Sequence, residues 1–193
     1  MSRLEPPDRL VHERVVLERS RPSHIDGIHA AIETSHTELH QFMDWASGEA
    51  AQGREVTLDF LATCQVSWRE RTGFNFSMTD PATAEIIGSC GLMARQGPGR
   101  LEIGYWVRSD RAGAGVATAA ATLLTDAGLD IRDIEIVQIH HDAANVASGR
   151  IPEKLGYTEA VRRDVEIDNP GELGIEVIWE ITKRDWRARD QRA

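Results

Sequence analysis

Two glycines, Gly113 and Gly115, stand in "WVRSDRAGAGVATAAATLL" (residues 106–124), between an arginine-flanked turn and an alanine-rich run without proline. Glycine inside a helix costs about 0.5–1 kcal/mol relative to alanine, so its use where a helix is about to start needs a reason. Phosphate binding supplies one. A helix N-terminus carries unpaired N–H groups and partial positive charge, and a backbone without β-carbons lets an anion approach closely. A Walker A loop is excluded, because Gly115 is followed by Val116 and Ala117 rather than by Lys and Ser or Thr. A dinucleotide fingerprint fits poorly: it needs a third Gly or Ala where Thr118 stands, and it opens a βαβ unit near the start of its domain. A pyrophosphate loop of the coenzyme A type remains, beside a helix start that uses small residues for packing alone.

Other residues with chemical capacity carry weaker signals. Glu102 alternates with Ile103 as a solvated strand residue would. Asn145 and Ser148 suit a helix cap and a first-turn serine, and Pro152 falls inside the same helix, where it removes an amide that would bond the Ser148 carbonyl. His140 and His141 end a strand, one ring to each side of the sheet. His36 and His40 are spaced i,i+4 without the carboxylate of an HExxH motif, so no metal site is read. Cys64 and Cys90 have no CxxC or Cys/His partners and read as free thiols in a reducing cytoplasm. Trp45, Trp68 and Trp106 read as packing residues.

These residues need elements to place them. "RVVLERS" alternates as a half-buried strand, with Val15 and Leu17 on one face. "RPSHIDGIHAAIETS" sets Ile25, Ile28 and Ile32 on one helical face, with Pro22 near the start. A second helical region covers "HTELHQFMDW" and, after "SGEAAQGRE", "VTLDFLATCQVSWRER", where Leu58, Leu61, Gln65 and Trp68 follow helical spacing. Three strands come next, "FNFSMTD", "EIIGSCGLM" and "RLEIGYWVR", separated by the turn formers "DPAT" and "RQGPG". The alanine-rich helix spans about Gly115 to Gly128. It is followed by the strand "IEIVQIHH", a short helix from near Asn145, and closing strands around "YTEAVRRDVEI" and "GIEVIWEIT". This order predicts an α/β (α+β) architecture with a mixed sheet. The basic tail "RDWRARDQRA" reads as solvated.

The 193 residues suit one domain over 1–193, with flexible tails at about 1–10 and 187–193. A formal net charge of -9 disfavours nonspecific nucleic-acid binding, which needs Lys and Arg to displace counterions. The same charge suits a cationic substrate. No apolar run approaches the roughly 20 residues of a membrane span, and "MSRLEPPDRL" has no apolar h-region. A cytoplasmic location is the expectation, and the sequence leaves a homodimer open.

"LEIGYWVRSDRAGAGVATAA", followed by "DAANVASGRIPEKLGY", resembles the GNAT superfamily of acyl-CoA-dependent N-acetyltransferases, and more narrowly the RimJ/RimL type that acts on ribosomal-protein N-termini. "HQFMDWA" and "KRDW" are similar to that family's Trp-Ala segment on the substrate side and its usual close. The chain departs at Ala112, where the superfamily's loop usually begins with Gln or Arg; Arg111 stands one place earlier. The resemblance implies a GNAT fold, with a mostly antiparallel mixed sheet flanked by helices, and acetyl-CoA as cofactor. It implies that backbone N–H groups of Tyr105, Trp106 and Val107 polarise the thioester carbonyl. It assigns the pyrophosphate to the loop Ala112, Gly113, Ala114, Gly115, Val116 and Ala117, and the pantetheine arm to Asn145. Ser148 becomes the acid for the departing thiolate, Glu102 the general base, and Trp45 a neighbour of the acceptor. The acceptor is then a primary amine, either a protein N-terminus or a small molecule such as an amine metabolite or aminoglycoside. An acyl-CoA-binding module without catalysis is the reading from another class.

Overall fold

Eight strands share one sheet in the order β1-β2-β3-β4-β5-β6-β8-β7. They are β1 (Arg9–His12), β2 (Val15–Arg19), β3 (Gly73–Thr79), β4 (Ile86–Met93), β5 (Arg100–Val107), β6 (Ile136–Asp142), β7 (Thr158–Asp164) and β8 (Ile175–Thr182). Five α-helices accompany them: α1 (Ile25–Leu39), α2 (Arg54–Glu70), α3 (Val116–Asp130), α4 (Val146–Lys154) and α5 (Lys183–Arg189). This computed structural model describes residues 3–47 and 53–189. Residues 48–52, within the expected connection "SGEAAQGRE", lie outside the described residues.

Neighbouring strands are antiparallel except β5 and β6, which run parallel. A parallel pair needs a crossover, and α3 provides it. Pairing of β5 with β6 runs from Arg100↔Ile136 to Ile103↔Ile139 and stops. Beyond that point β5 continues to Val107 against β4, and β6 continues to Asp142 against β8. The sheet therefore splits between Gly104–Val107 and residues 140–142. Backbone groups along the split have lost their neighbour strand and must find other partners.

Side-chain alternation gives the two sides of the sheet different jobs. Leu101 and Ile103 face α3, which comes so near that a Cβ on Gly128 would sit 3.1 Å from Leu92 and 3.5 Å from Leu101. Glu102, Gly104 and Trp106 face the other way, toward α1. The core is built on Leu17, Phe76, Met78, Leu92, Leu124 and Ile139, all essentially inaccessible.

The sequence placed most elements well, and four details differ. "HTEL" is not a new helix but the last turns of α1, and only a 3-10 turn follows at Asp44–Ala46. On α2 the buried stripe is Thr57, Leu61, Cys64 and Trp68, while Leu58 is exposed. Gln65, the polar member of the expected set, donates to the Ser20 carbonyl. The tails contribute structure where they are described. Residues 9 and 10 pair in β1, Arg3 bridges to Ile131, and α5 runs to Arg189. Finally, "RDWRARDQRA" is not a solvated tail in its described part. Trp186 is buried, stands edge-on to Tyr157 with centroids 6.4 Å apart, donates from Nε1 to Asp126 at 2.6 Å, and carries the Arg189 guanidinium 4.2 Å over its ring. The indole fastens the last helix together with Lys183 Nζ on the Ile134 carbonyl (3.1 Å) and Arg189 on the Leu155 carbonyl, which explains why so polar a segment docks.

Trp186→Ala should therefore cost about 3–5 kcal/mol. That lowers the melting temperature by roughly 6–20 °C at about 2–4 °C per kcal/mol, as read by calorimetry against the parent chain.

Candidate active site

The glycine loop sits where β5 hands over to α3. Gly115 is the N-cap of α3 with φ +79°, and Gly113 has φ +76°, a left-handed geometry that side chains resist. A Cβ built on Gly113 would meet nothing within 4 Å, so it would project into open space beside the loop. Ala112 N–H is bonded to the Ser109 carbonyl, and Ala119 N–H to that of Gly115. Among the described residues, the amides of Gly113, Ala114, Gly115, Val116, Ala117 and Thr118 between them have no acceptor. A run of free donors beside an open cradle that a Cβ would fill suits a pyrophosphate.

Tyr105 bridges the split. Its hydroxyl lies 3.1 Å from Ser148 Oγ and 3.3 Å from the Ser148 carbonyl oxygen. Burial pushes this phenol up to about 12, against the opposing effect of the Ser148 hydrogen bond, so it remains a proton donor. Asn145 caps α4, its Oδ1 accepting from Ser148 N–H at 3.1 Å. The preceding turn is stapled by the Asp142 carboxylate, which accepts from the amides of Ala144, Leu173 and Ile175. Burial works to raise that carboxyl, but these amides prevail and lower it. On the same side, His141 Nδ1 lies 2.7 Å from the Asp142 carbonyl, and Nε2 is 3.0 Å from the Trp179 indole nitrogen. The carbonyl can only accept and the indole N–H can only donate, which fixes the ring tautomer. Its edge fits against Gly149 of α4, where a Cβ would come within 2.8 Å.

A cavity of about 750 Å³ lies on the opposite face, lined among others by Trp45, Cys90, Glu102, Trp106 and His140 and reaching Asn145 and Ser148. Trp45 is 43% exposed and tilted against Trp106 at 5.9 Å. One wall is tied to the segment between β7 and β8: the buried Asn169 donates from Nδ2 to both Asp44 (2.6 Å) and Glu172 (2.9 Å), and Gly171 N–H reaches the Gln41 carbonyl.

Glu102, expected as a strand residue open to solvent or as a base, is only 3% exposed. Arg95 grips it with both Nε (2.8 Å) and Nη2, and Gln96 donates from its amide. Burial pushes the carboxyl up. The Arg95 and Gln96 hydrogen bonds, helped by the fields of His140 and Arg95, outweigh burial and hold it below the usual carboxylate range. His140 on the same face is itself held between Glu176 (Nδ1, 3.1 Å) and Gln138 (Nε2, 3.3 Å).

Of the residues singled out in the sequence, Trp45, Glu102, Tyr105, Trp106, Asn145 and Ser148 meet at the cavity. Val107 and the loop from Ala112 to Ala117 do not line it; Val107 ends β5 just before the 3-10 turn Ser109–Arg111 that leads into the loop. Sequence reasoning missed Arg95 and Gln96, the Asn169 tie, and the Tyr105 hydroxyl, whose residue was assigned through its backbone only. The hairpin register Met93↔Glu102 brings Arg95 back over Glu102, and no sequence pattern specifies that turn. Neither buried thiol is an activated nucleophile: burial raises Cys64 to about 12 and raises Cys90 as well. Among the described residues there is no group of three or more metal-ligating side chains, and no helix long and apolar enough to cross a membrane.

Residues 14–158 match the sequence model of the acetyltransferase (GNAT) domain, and the chain belongs to that family. The domain of this family uses acetyl-CoA. The chain is 32% identical over 107 residues to the uncharacterized protein YkkB of Bacillus subtilis, a match covering 51% of this chain and 62% of the relative, so it spans less than two thirds of that protein's length. Its fold is similar to that of ribosomal-protein-S5-alanine acetyltransferase from Vibrio fischeri, with TM-score 0.81, 16% identity, and 92% and 98% of the two chains covered. It is also similar to the microcin C7 self-immunity acetyltransferase MccE, solved with acetyl-CoA and AMP, with TM-score 0.82, 15% identity, and 93% and 98% covered.

The Arg95–Glu102 pair has a pH signature. A carboxyl held below its unfolded value, about 4.3, stabilises the fold above that pH, and the contribution is lost as pH falls through the folded pKa. Glu102→Gln should be about 1–3 kcal/mol less stable at pH 7. It should also lose less of its stability than the parent between pH 5 and pH 3. Urea denaturation at stepped pH compares the two slopes.

Proposed function

We propose that this protein is an acetyl-CoA-dependent N-acetyltransferase that acylates a primary amine by direct attack in a ternary complex, with the α-amine of a peptide N-terminus as acceptor. Acetyl-CoA supplies the acetyl thioester and a thiolate that leaves readily, since thiols ionise near pH 8.5. The free amides from Gly113 to Thr118 hold the pyrophosphate. Along the edge of β5 that β6 leaves, the backbone N–H groups of Tyr105 and Val107 turn to the carbonyl oxygen, where charge develops, while that of Trp106 points to β4. Asn145 meets the pantetheine arm. Ser148, in contact with the Tyr105 phenol, passes a proton to the thiolate, and the proton left on Glu102 at the end of the step returns through solvent to restore the hydroxyl pair. As the amine nitrogen bonds the carbonyl carbon and the C–S bond breaks, the surplus ammonium proton passes to Glu102, directly or through water.

The state of Glu102 carries the choice of acceptor. Three of its roughly four lone-pair positions are taken by Arg95 and Gln96. Their grip makes it a weak base but a permanent anion at neutral pH. An α-amine, with pKa about 7.7–8.0, is on the order of a tenth neutral at pH 7; a lysine amine near 10.4 is under a thousandth neutral. A weak base therefore suits the α-amine. Asp44, Asp142 and Glu172 around the same cavity add to its attraction for a cation. The names of the Vibrio fischeri neighbour and of the RimL structure, a ribosomal L7/L12 α-N-protein acetyltransferase, describe acceptors of this kind. A small-molecule amine of similarly low pKa is the second reading, favoured by the tie at Asn169 that walls the cavity on the acceptor side.

The test is acetyl-CoA turnover over N-terminal peptides, lysine side-chain analogues and small amines at pH 7. The α-amines should lead in kcat/KM, and turnover of none of them would end the enzyme reading. With one confirmed acceptor, Glu102→Gln should lower kcat about 10²-fold or more at pH 7, and the defect should shrink as pH rises and more amine is neutral. Parent-like rates across the range would remove Glu102 from the chemistry. Separately, saturating acetyl-CoA should raise the parent's melting temperature by roughly 5–10 °C. Gly113→Val, which fills the cradle, should lose most of that shift.

A further inference from the structure

The glycine loop is bordered by three arginines, and two of them are spent. Arg108 grips Asp110 through Nε (2.6 Å) and Nη2 (3.1 Å) and lies 3.6 Å from Glu85. Arg111 is paired with Asp80 and Glu85, each at 3.2 Å. Two guanidinium groups thus share three carboxylates, and that border of the loop is net negative. The free amides of the loop supply only partial charges against this background, whereas a pyrophosphate diester carries two full negative charges.

The third arginine comes from far away in sequence. Arg14, in the turn between β1 and β2, lies across the loop and donates from Nη1 to the Ala114 carbonyl at 3.3 Å. It packs against Gly115, where a Cβ would stand in ordinary contact, 3.6–3.9 Å from Arg14 Cδ, Nε and Nη1. Among the described residues the one carboxylate paired with it is Glu13, itself 74% exposed, at 3.5 Å from Nε. A guanidinium has five N–H donors. One Nη1 hydrogen and both on Nη2 have no partner among the described residues, and the side chain is 55% exposed.

We propose that Arg14 is the cationic contact to the pyrophosphate of the bound cofactor, delivered from the β1–β2 turn rather than from the loop. The inference rests on the acetyl-CoA reading above. The Ala114 bond pre-orients the guanidinium, so little rotamer entropy remains to be lost when the phosphates arrive. Its position also gives the short β1–β2 hairpin, at the edge of the sheet, a part in ligand binding.

Calorimetric titration with CoA, and with dephospho-CoA, which keeps the pyrophosphate and lacks the 3′-phosphate, tests this for the parent chain, Arg14→Ala and Arg14→Lys at about 50 and 300 mM salt. Arg14→Ala should bind both ligands about tenfold more weakly at low salt, with a smaller deficit at high salt where the lost charge is screened anyway. Arg14→Lys should keep the salt dependence of the parent. The melting temperature without ligand should stay within a few degrees of the parent. Equal affinities for the parent and Arg14→Ala would overturn the proposal. So would a deficit independent of salt, which would mean that Arg14 only shapes the loop, and so would a deficit seen with CoA but absent with dephospho-CoA. Failure of the parent itself to bind CoA would instead overturn the cofactor reading on which the proposal rests.

Discussion

The parallel pairing of β5 with β6 is the constraint on which the rest depends. Two adjacent parallel strands cannot be joined by a hairpin, so α3 must cross between them, and its N-terminus necessarily opens at the carboxyl end of β5. The pair then parts after Ile103 and Ile139. Free helix amides, an unpartnered strand edge and a gap reaching the far face are thereby brought to one place, as open α/β sheets tend to bind ligands outside the carboxyl ends of their strands. The cap at Asn145 and the Tyr105–Ser148 contact close one side of this opening. The tie between Asp44, Asn169 and Glu172 closes the other.

The legibility of these features in the sequence followed their range along the chain. The glycine loop was readable because strand, glycines and helix are contiguous, and Asn145 because a cap bonds three residues ahead. Period set β2 and the apolar face of α1, and turn formers between apolar runs set β3 to β5. What escaped was decided by partners distant in sequence. Leu58 satisfies helical spacing but faces solvent, because the packing surface of α2 is one position away, on Thr57, Leu61 and Cys64. The four residues of β1 are too few to show alternation. In α5 one buried indole, with Lys183 and Arg189 donating to carbonyls at a distance in sequence, docks an otherwise polar segment. Glu102 looked solvated because its clamp arrives from a turn whose conformation no pattern in "ARQGPGR" specifies.

That clamp separates two properties often expected of one catalytic carboxylate. Gripping by Arg95 and Gln96 keeps Glu102 in place and charged although it is buried, and the same bonds reduce its appetite for a proton. In the proposed role of Glu102, a site built this way gains position and field at the expense of basicity and would select its acceptor by acidity as well as by shape.

His140 and His141 are consecutive on β6, yet one ring joins Glu176 and Gln138 beside the cavity and the other seats α4 from the opposite face. The two halves of the site are thus phased by the parity of a single strand. Removing or inserting one residue upstream of His140 in β6 would exchange the faces of everything after it, sending the α4 support into the cavity and the cavity wall beneath α4. Loops at the rim can lengthen or shorten freely, so new acceptors can be reached there. Within β6, length is frozen, and variation is confined to substitution.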